Sequence, residues 1–300
     1  MTSTEPVILS VNAMATRFEI VLCGAERSRL RAAGEEALAE IAALDRQLSF
    51  YSPHSEISLM NARASREPVK IEPRLFQLLQ AARDLTQSTE GAFDITIAPL
   101  MEAWGLAGGD GHVPTSDQLE LAMQLVGIEL IHLDDDHCTV RFEREGVKID
   151  LGAIGKGYAI DRAVEILQDS GVESALIHGG TSTIYAIGTV PDGRPWRVAV
   201  SDPPSGGESP ERRELDLQDC SLSVSAPHGK SFERDGQVYG HVIDPRTGRP
   251  TRATRLAAVW GPSATVTDAL STALLVLGGS GLDMLRQGFA DYEGLQIASK

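Results

Sequence analysis

The stretch TDALSTALLVLGG, residues 267–279, constrains this chain more than any other. Ala269, Leu270, Ala273, Leu274, Val276 and Leu277 cover most faces of a helix written on it. A helix that is apolar nearly all round belongs inside a protein, so the rest of the fold has to enclose it. Two polar residues interrupt the apolar coat. Asp268 and Thr272, four apart, stack on one face with Cα atoms roughly 6 Å apart along the axis. A carboxylate on a buried helix needs a partner. A carboxylate with a hydroxyl is a hard-oxygen pair, suited to Mg²⁺ rather than zinc. Against that stands a purely structural reading, in which Asp268 interacts with the helix N-terminus and Thr272 bonds back to a carbonyl.

A second stretch, IDLGAIGKGYAIDRA (149–163), sets three glycines and a lysine before a helix. Glycine-rich turns that open helices hold phosphates. Yet Lys156 is followed by Gly157 and Tyr158, so no P-loop hydroxyl is present, and the spacing G-x-x-G-x-G is not the dinucleotide fingerprint. Asp150 ends a strand, Ala153 offers a bare carbonyl in a turn, and Lys156 projects at the helix start. A lysine there opposes the helix dipole unless an anion sits beside it.

Charge narrows the partners. A net charge of −15 argues against nucleic acid and anionic membrane surfaces. It also means that an anionic ligand needs a divalent cation to offset repulsion. The 300 residues, 42% hydrophobic, can bury a full core. No dividing linker is evident, so a single domain over 1–300 is expected, with the polar run DPPSGGESPERRE (202–214) as a surface loop. No run reaches ~18 uninterrupted apolar residues. The first residues lack a basic and apolar leader, and Cys23, Cys138 and Cys220 are scattered, so a cytoplasmic location without membrane anchor is expected.

Periodicity predicts two strands breaking near Asn12 to Ala15, a long helix from Glu26 to Ser49, and a helix over about 73–87. It further predicts a short strand AFDITIAPL (92–100), a helix capped by Thr115 or Ser116 and stopped at Gly127, and a three-strand meander over 128–150. A helix at 155–169 and strands at 174–178, 183–187, 196–200, 221–225, 238–243 and 254–260 follow. The buried helix, a short helix near Leu282 and a last strand GLQIAS close the chain. Hairpin-linked strands without regular β-α-β alternation imply α+β with largely antiparallel sheets flanked by helices.

Other candidates are weaker singly. His241 precedes an Asp-Pro turn in HVIDPRTGRP, and His228 in SVSAPHGKSF is a second potential base. Backbone N–H groups around Gly91 to Asp94 face an anion or ring edge, or else form an ordinary helix stop. Phe50 and Tyr51 sit in a Ser/Pro turn, as core residues or as a platform for a planar ligand.

Together the pieces resemble one family, the ApbE-type FAD:protein FMN transferases, in order and over most of the chain. MATRFEI resembles its M-G-T strand, and DRQLSFYSPHSEISLMN its S-x-Y turn and following Asn. GAFDITIAPLMEAWG is similar to its G-x-F-D segment and IDLGAIGKGYAIDRA to its D-L-G-G-I-A-K-G-Y-A-x-D block. HVIDPRTG and TDALSTALLVLG resemble its last two blocks. The resemblance implies a two-lobed arrangement with a flavin cleft between lobes. It implies FAD as substrate against Met14, Tyr51, Ala92, Phe93, Asp94, Asp150, Lys156 and Ile243. Mg²⁺, or alternatively Mn²⁺, would be held by the Ala153 carbonyl, Asp268 and Thr272, with His241 as the proton-transfer residue. The implied reaction moves FMN onto a Ser or Thr hydroxyl of another protein and releases AMP. The chain departs from the family pattern at Thr181, where an aspartate is usual, and at Ala226, where glycine follows the serine equivalent to Ser225. Both bear on the acceptor side, so an FAD pyrophosphatase and a non-enzymatic flavin-binding protein stand as alternatives.

Overall fold

The computed structural model describes residues 5–201, 212–227, 231–252 and 254–298. Its elements begin with β1 (Val7–Ala13), β2 (Thr16–Leu22), α1 (Arg27–Leu48), α2 (Glu56–Arg63), β3 (Val69–Lys70), α3 (Pro73–Ser88), α4 (Ala98–Ala103) and α5 (Ser116–Met123). A 3-10 turn (Ile128–Leu130) leads into β4 (Ile131–Asp134), β5 (Thr139–Phe142), α6 (Gly155–Asp169), β6 (Ala175–Gly179) and β7 (Thr183–Ile187). Next come β8 (Trp196–Ser201), β9 (Arg212–Leu217), β10 (Cys220–Ser225), β11 (Ser231–Arg234), β12 (Gln237–Gly240), β13 (Ile243–Asp244) and β14 (Arg249–Pro250). The last elements are β15 (Thr254–Gly261), α7 (Ala264–Leu277), α8 (Gly281–Gly288) and β16 (Glu293–Ala298).

A seven-stranded sheet in the order β1-β2-β6-β7-β10-β15-β16 forms the frame. Every neighbouring pair is antiparallel, as an α+β fold of hairpin-linked strands requires. Side chains alternate across it. In β15, Ala257 and Val259 join the core under the helices, whereas Leu256 and Ala258 join a second cluster on the opposite face. On the helical face α1 packs on α6 and α6 on α7, with α7 lying against β10 and β15. The opposite face is covered by the β8–β9 ribbon through Trp196, Val198, Val200 and Leu217.

The buried-helix expectation holds: Ala269, Leu270, Ala273, Leu274 and Leu275 are fully buried. Ser263 caps α7 by accepting from the Val266 N–H, and Gly278, at φ 60°, ends it. The run Ala264–Gly288 is apolar enough to span a membrane by length and composition, but a 3-10 turn at Gly278–Ser280 breaks it, and 61% of its most apolar window is buried within the fold.

Four sequence expectations need correction. AFDITIAPL is not a strand. Asp94 Oδ1 accepts from the Thr96 N–H at 2.8 Å, turning the chain, and Pro99 falls in the first turn of α4, where its missing N–H costs nothing. The meander over 128–150 yields only β4 and β5, and the third strand of that sheet is β3, from far upstream. Residues 147–150 are held instead by the Asn61 amide, which donates to the Ile149 carbonyl and accepts from its N–H, both within 2.9 Å, as a strand neighbour would. The strand expected at 238–243 divides into β12 and β13. Of the expected surface loop, residues 212–214 belong to β9, while 202–211 lie outside the described residues.

Candidate active site

The centre of the site is the crossing of α6 and α7. Gly157 permits it: a Cβ there would meet the Ala264 carbonyl oxygen at 2.1 Å and Asp268 Cβ at 2.9 Å. Close helix approach is what this glycine serves. The N-cap of α6, Ile154, offers no side-chain acceptor. Asp268 supplies one from the neighbouring helix, its Oδ2 accepting from the Gly157 N–H at 3.0 Å. Thus the anion that a lysine at this helix start calls for is present, with Lys156 Nζ 3.9 Å from the same oxygen. Lys156 also folds back to donate to the Gly152 carbonyl at 3.3 Å. Ala153 lies in that turn, one residue before the cap.

Asp268 is 4% exposed. Burial pushes its carboxyl above the usual carboxylate range, while the Lys156 charge, the Gly157 N–H and the Thr183 hydroxyl pull the other way. The structural reading of Thr272 is also observed, since its hydroxyl donates to the Asp268 carbonyl at 3.3 Å. That bond does not use up the hydroxyl oxygen, which lies 3.3 Å from Ser225 Oγ. Ser225 in turn lies 2.8 Å from Ser271 Oγ. Further along, Thr267 Oγ1 bonds Ser221 at 3.0 Å and Ser223 at 2.9 Å. A seam of buried hydroxyls therefore joins β10 to α7, with Asp268 bonded from the β7 side by Thr183 Oγ1 at 3.2 Å.

The sequence reading missed Thr183, Asp161 and the seam. The signal for the seam was available: serines at 221, 223 and 225 alternate on one strand face, opposite the polar stripe Thr267, Asp268, Ser271 and Thr272. Thr181, where the chain departs from the family pattern, is exposed in the β6–β7 turn, and Thr183, two residues on, reaches Asp268.

The other predicted residues occupy surrounding segments. Met14 and Ala15, at φ 49° and 57°, form the turn between β1 and β2 rather than a strand. The Met14 N–H donates to Asp45 Oδ1 at 2.8 Å. Tyr51 is largely exposed, and its phenol is pushed up by partial burial and by the Asp150 charge. Asp150 ties to the 92–97 segment through its N–H, which donates to the Ile95 carbonyl, and its Oδ1 holds the Gly152 N–H at 2.7 Å. Ala92, Phe93 and Asp94 are buried. The Ala92 and Phe93 N–H groups donate to the Thr89 carbonyl and hydroxyl within the turn that follows α3, the helix-stop arrangement that is one of the two readings of this segment. The Asp94 carboxylate is likewise engaged, by Thr96 and by the Ile128 N–H. His241 stands just before β13, and Ile243 packs with Leu100 and Trp104. Val242 and Thr251 link this segment to α7, since the Thr251 N–H donates to Val242 and its hydroxyl to the Leu275 carbonyl at 3.3 Å. His228 lies outside the described residues.

The donor set fits a hard cation. Each Asp268 oxygen accepts one hydrogen bond and has capacity for a second partner. Thr272, one turn further along α7, and Ser225 supply hydroxyl oxygens 3.3 Å from each other. Among the described residues no three His, Cys, Asp or Glu side chains converge, which excludes a cage built wholly of such side chains there. A surface hollow of about 580 Å³, lined by Pro68, Lys70, Asp134 and His137 among others, shares no residue with this site.

The chain is similar to known proteins over most of its length. A model of the ApbE family matches residues 14–295. The FAD:protein FMN transferase of Vibrio cholerae is 33% identical over 236 residues, covering 77% of this chain and 69% of the relative. That of Treponema pallidum is 30% identical over 266 residues, covering 84% and 73%. The solved ApbE protein of Thermotoga maritima superposes with a TM-score of 0.88 at 29% identity, covering 98% of this chain and 94% of that one. The flavinyl transferase ApbE of Pseudomonas stutzeri gives 0.87 at 27% identity, covering 100% and 93%.

Proposed function

The chain belongs to the ApbE family, and from that premise we propose that it transfers the FMN half of FAD to a Ser or Thr hydroxyl of an acceptor protein, releasing AMP. The acceptor oxygen attacks the FMN phosphorus, the bond to the bridging oxygen breaks, and AMP departs with that oxygen. The hydroxyl proton passes to His241, an imidazole being the side chain that most often serves as general base. Lys156 and Asp150, on the glycine turn, meet the pyrophosphate side of FAD, while Tyr51 meets the flavin end. Mg²⁺, or Mn²⁺, held by Asp268, Thr272 and the Ala153 carbonyl would offset the charge that builds on the phosphoryl oxygens.

One observation carries this reading: a buried carboxylate, the Thr183 hydroxyl and a lysine meet where α6 crosses α7. Such a group is costly to a fold and is retained where chemistry uses it. The net charge of −15 adds to the need for a cation if an anionic dinucleotide is to stay bound. Free thiols at Cys23, Cys138 and Cys220 accord with a reducing cytoplasm as the place of the reaction.

The test incubates the chain with FAD, Mg²⁺ and candidate acceptors encoded beside it. A mass increase of one FMN on the acceptor, with in-gel flavin fluorescence, is the expected result. Intact FAD and no mass increase with any acceptor would overturn the proposal. AMP and free FMN appearing without acceptor would assign a pyrophosphatase instead, and yellow protein without AMP a flavin-binding protein.

A further inference from the structure

Asp161, which the chemistry above does not use, sits one turn beyond Gly157 on α6. Its carboxylate accepts four hydrogen bonds from the start of α7. Oδ1 takes the Ala264 N–H at 2.8 Å. Oδ2 takes the Thr265 N–H at 2.8 Å, the Thr265 hydroxyl at 2.6 Å and the Ser263 hydroxyl at 2.8 Å. These N–H groups open α7 and have no partner within the helix. Asp268 does the reverse, leaving α7 to accept from the Gly157 N–H in the first turn of α6. Each helix thus caps the other with an aspartate, and the caps flank the contact where Gly157 lies on Ala264.

From this exchange we infer that Asp161 is a positioning residue for flavin transfer: it fixes the register of α7 against α6 and so holds Asp268 beside Lys156. The inference rests on the role assigned to Asp268 above. Without Asp161, two backbone donors in a partly buried crossing lose their acceptor, and the first turn of α7 is free to shift. Asp268, on the next turn, shifts with it and releases Gly157. General loss of stability would not discriminate between Gly157 and the rest of the core, but this coupling does.

The experiment compares the full chain with its Asp161→Asn, Asp161→Ala and Asp268→Asn variants by residue-resolved amide exchange without FAD, and by steady-state turnover. Loss of a cap corresponds to about tenfold in local opening. Asp161→Ala is expected to lower protection at Ala264, Thr265 and Gly157 by about that factor, with β6 and β7 unchanged. Asp161→Asn, which keeps one acceptor oxygen, is expected to fall between, and it carries the test alone if the alanine variant does not fold. In turnover, kcat is expected to drop about tenfold or more while KM for FAD stays within about threefold, the split of a group that aligns rather than binds. Wild-type protection at Gly157 overturns the inference, and so does wild-type kcat. If the unaltered chain transfers no flavin, the transfer reading falls by itself, and the exchange data alone decide whether Asp161 holds Asp268.

Discussion

The two faces of the seven-stranded sheet are built on opposite principles. Under the β8–β9 ribbon the contact is apolar, with Trp196, Val198, Val200 and Leu217 against Leu222, Leu256 and Ala258. Under α7 the same strand, β10, turns Ser221, Ser223 and Ser225 inward to meet Thr267, Ser271 and Thr272. An apolar seam there would hold as well, because replacing paired polar groups by apolar ones of the same shape can be nearly neutral. The difference teaches that the helical face, which also holds the main apolar core, sets a strip of oxygen atoms and one carboxylate within it, whereas the ribbon face is apolar throughout its contact.

Variants can break or sharpen that contrast. The largest effect is expected from Asp268→Ala, which should reduce metal-dependent transfer to background while FAD still binds, as read by equilibrium titration beside turnover; full activity would remove the metal assignment. His241→Ala should slow transfer by about 10²–10⁴ with FAD affinity nearly intact. Loss of affinity without loss of kcat would make His241 a ligand contact and no base. On the apolar face, Leu217→Ala should cost about 2–5 kcal/mol in denaturant unfolding and leave kcat unchanged in the folded fraction. A fall in kcat there would erase the distinction between the faces.

The smallest effect concerns pH. The Asp268 carboxyl is raised in the folded chain, chiefly by burial, so the folded state disfavours its charge. Its contribution to stability is full below the ordinary aspartate range of about 4 and is lost as pH rises through the higher folded value. Asp268→Asn should therefore raise the Tm of the metal-free protein near neutral pH and flatten its dependence between those limits. An unchanged profile would mean that Lys156 and the hydrogen bonds already offset the burial cost. Asp94, raised for the same first reason, adds a second slope that survives the substitution.

Long elements were legible because their periodicity is strong. α1, α3, α6 and α7 fall where the apolar spacing puts them. The error at AFDITIAPL came from apolar alternation that one side chain overrules, Asp94 bonding two residues ahead. The eight-residue α2 and the two-residue β3 are too short for a period to show. In the site, Asp268 with Thr272 was visible as a spacing and Lys156 as a conflict with its helix dipole. Thr183 and Asp161 were not, because their partners are 85 and 103 residues away along the chain. Nothing local to either residue signals such a bond.

The clasp of Asn61 on Ile149 has a mechanical meaning. α2 starts directly after the Tyr51 turn, through its Ser55 cap, and ends its reach on the residue before Asp150. The Asp150 end of the glycine turn is consequently placed through one short helix, whose Ser55 cap fixes its start and whose Asn61 grips the preceding residue from both sides.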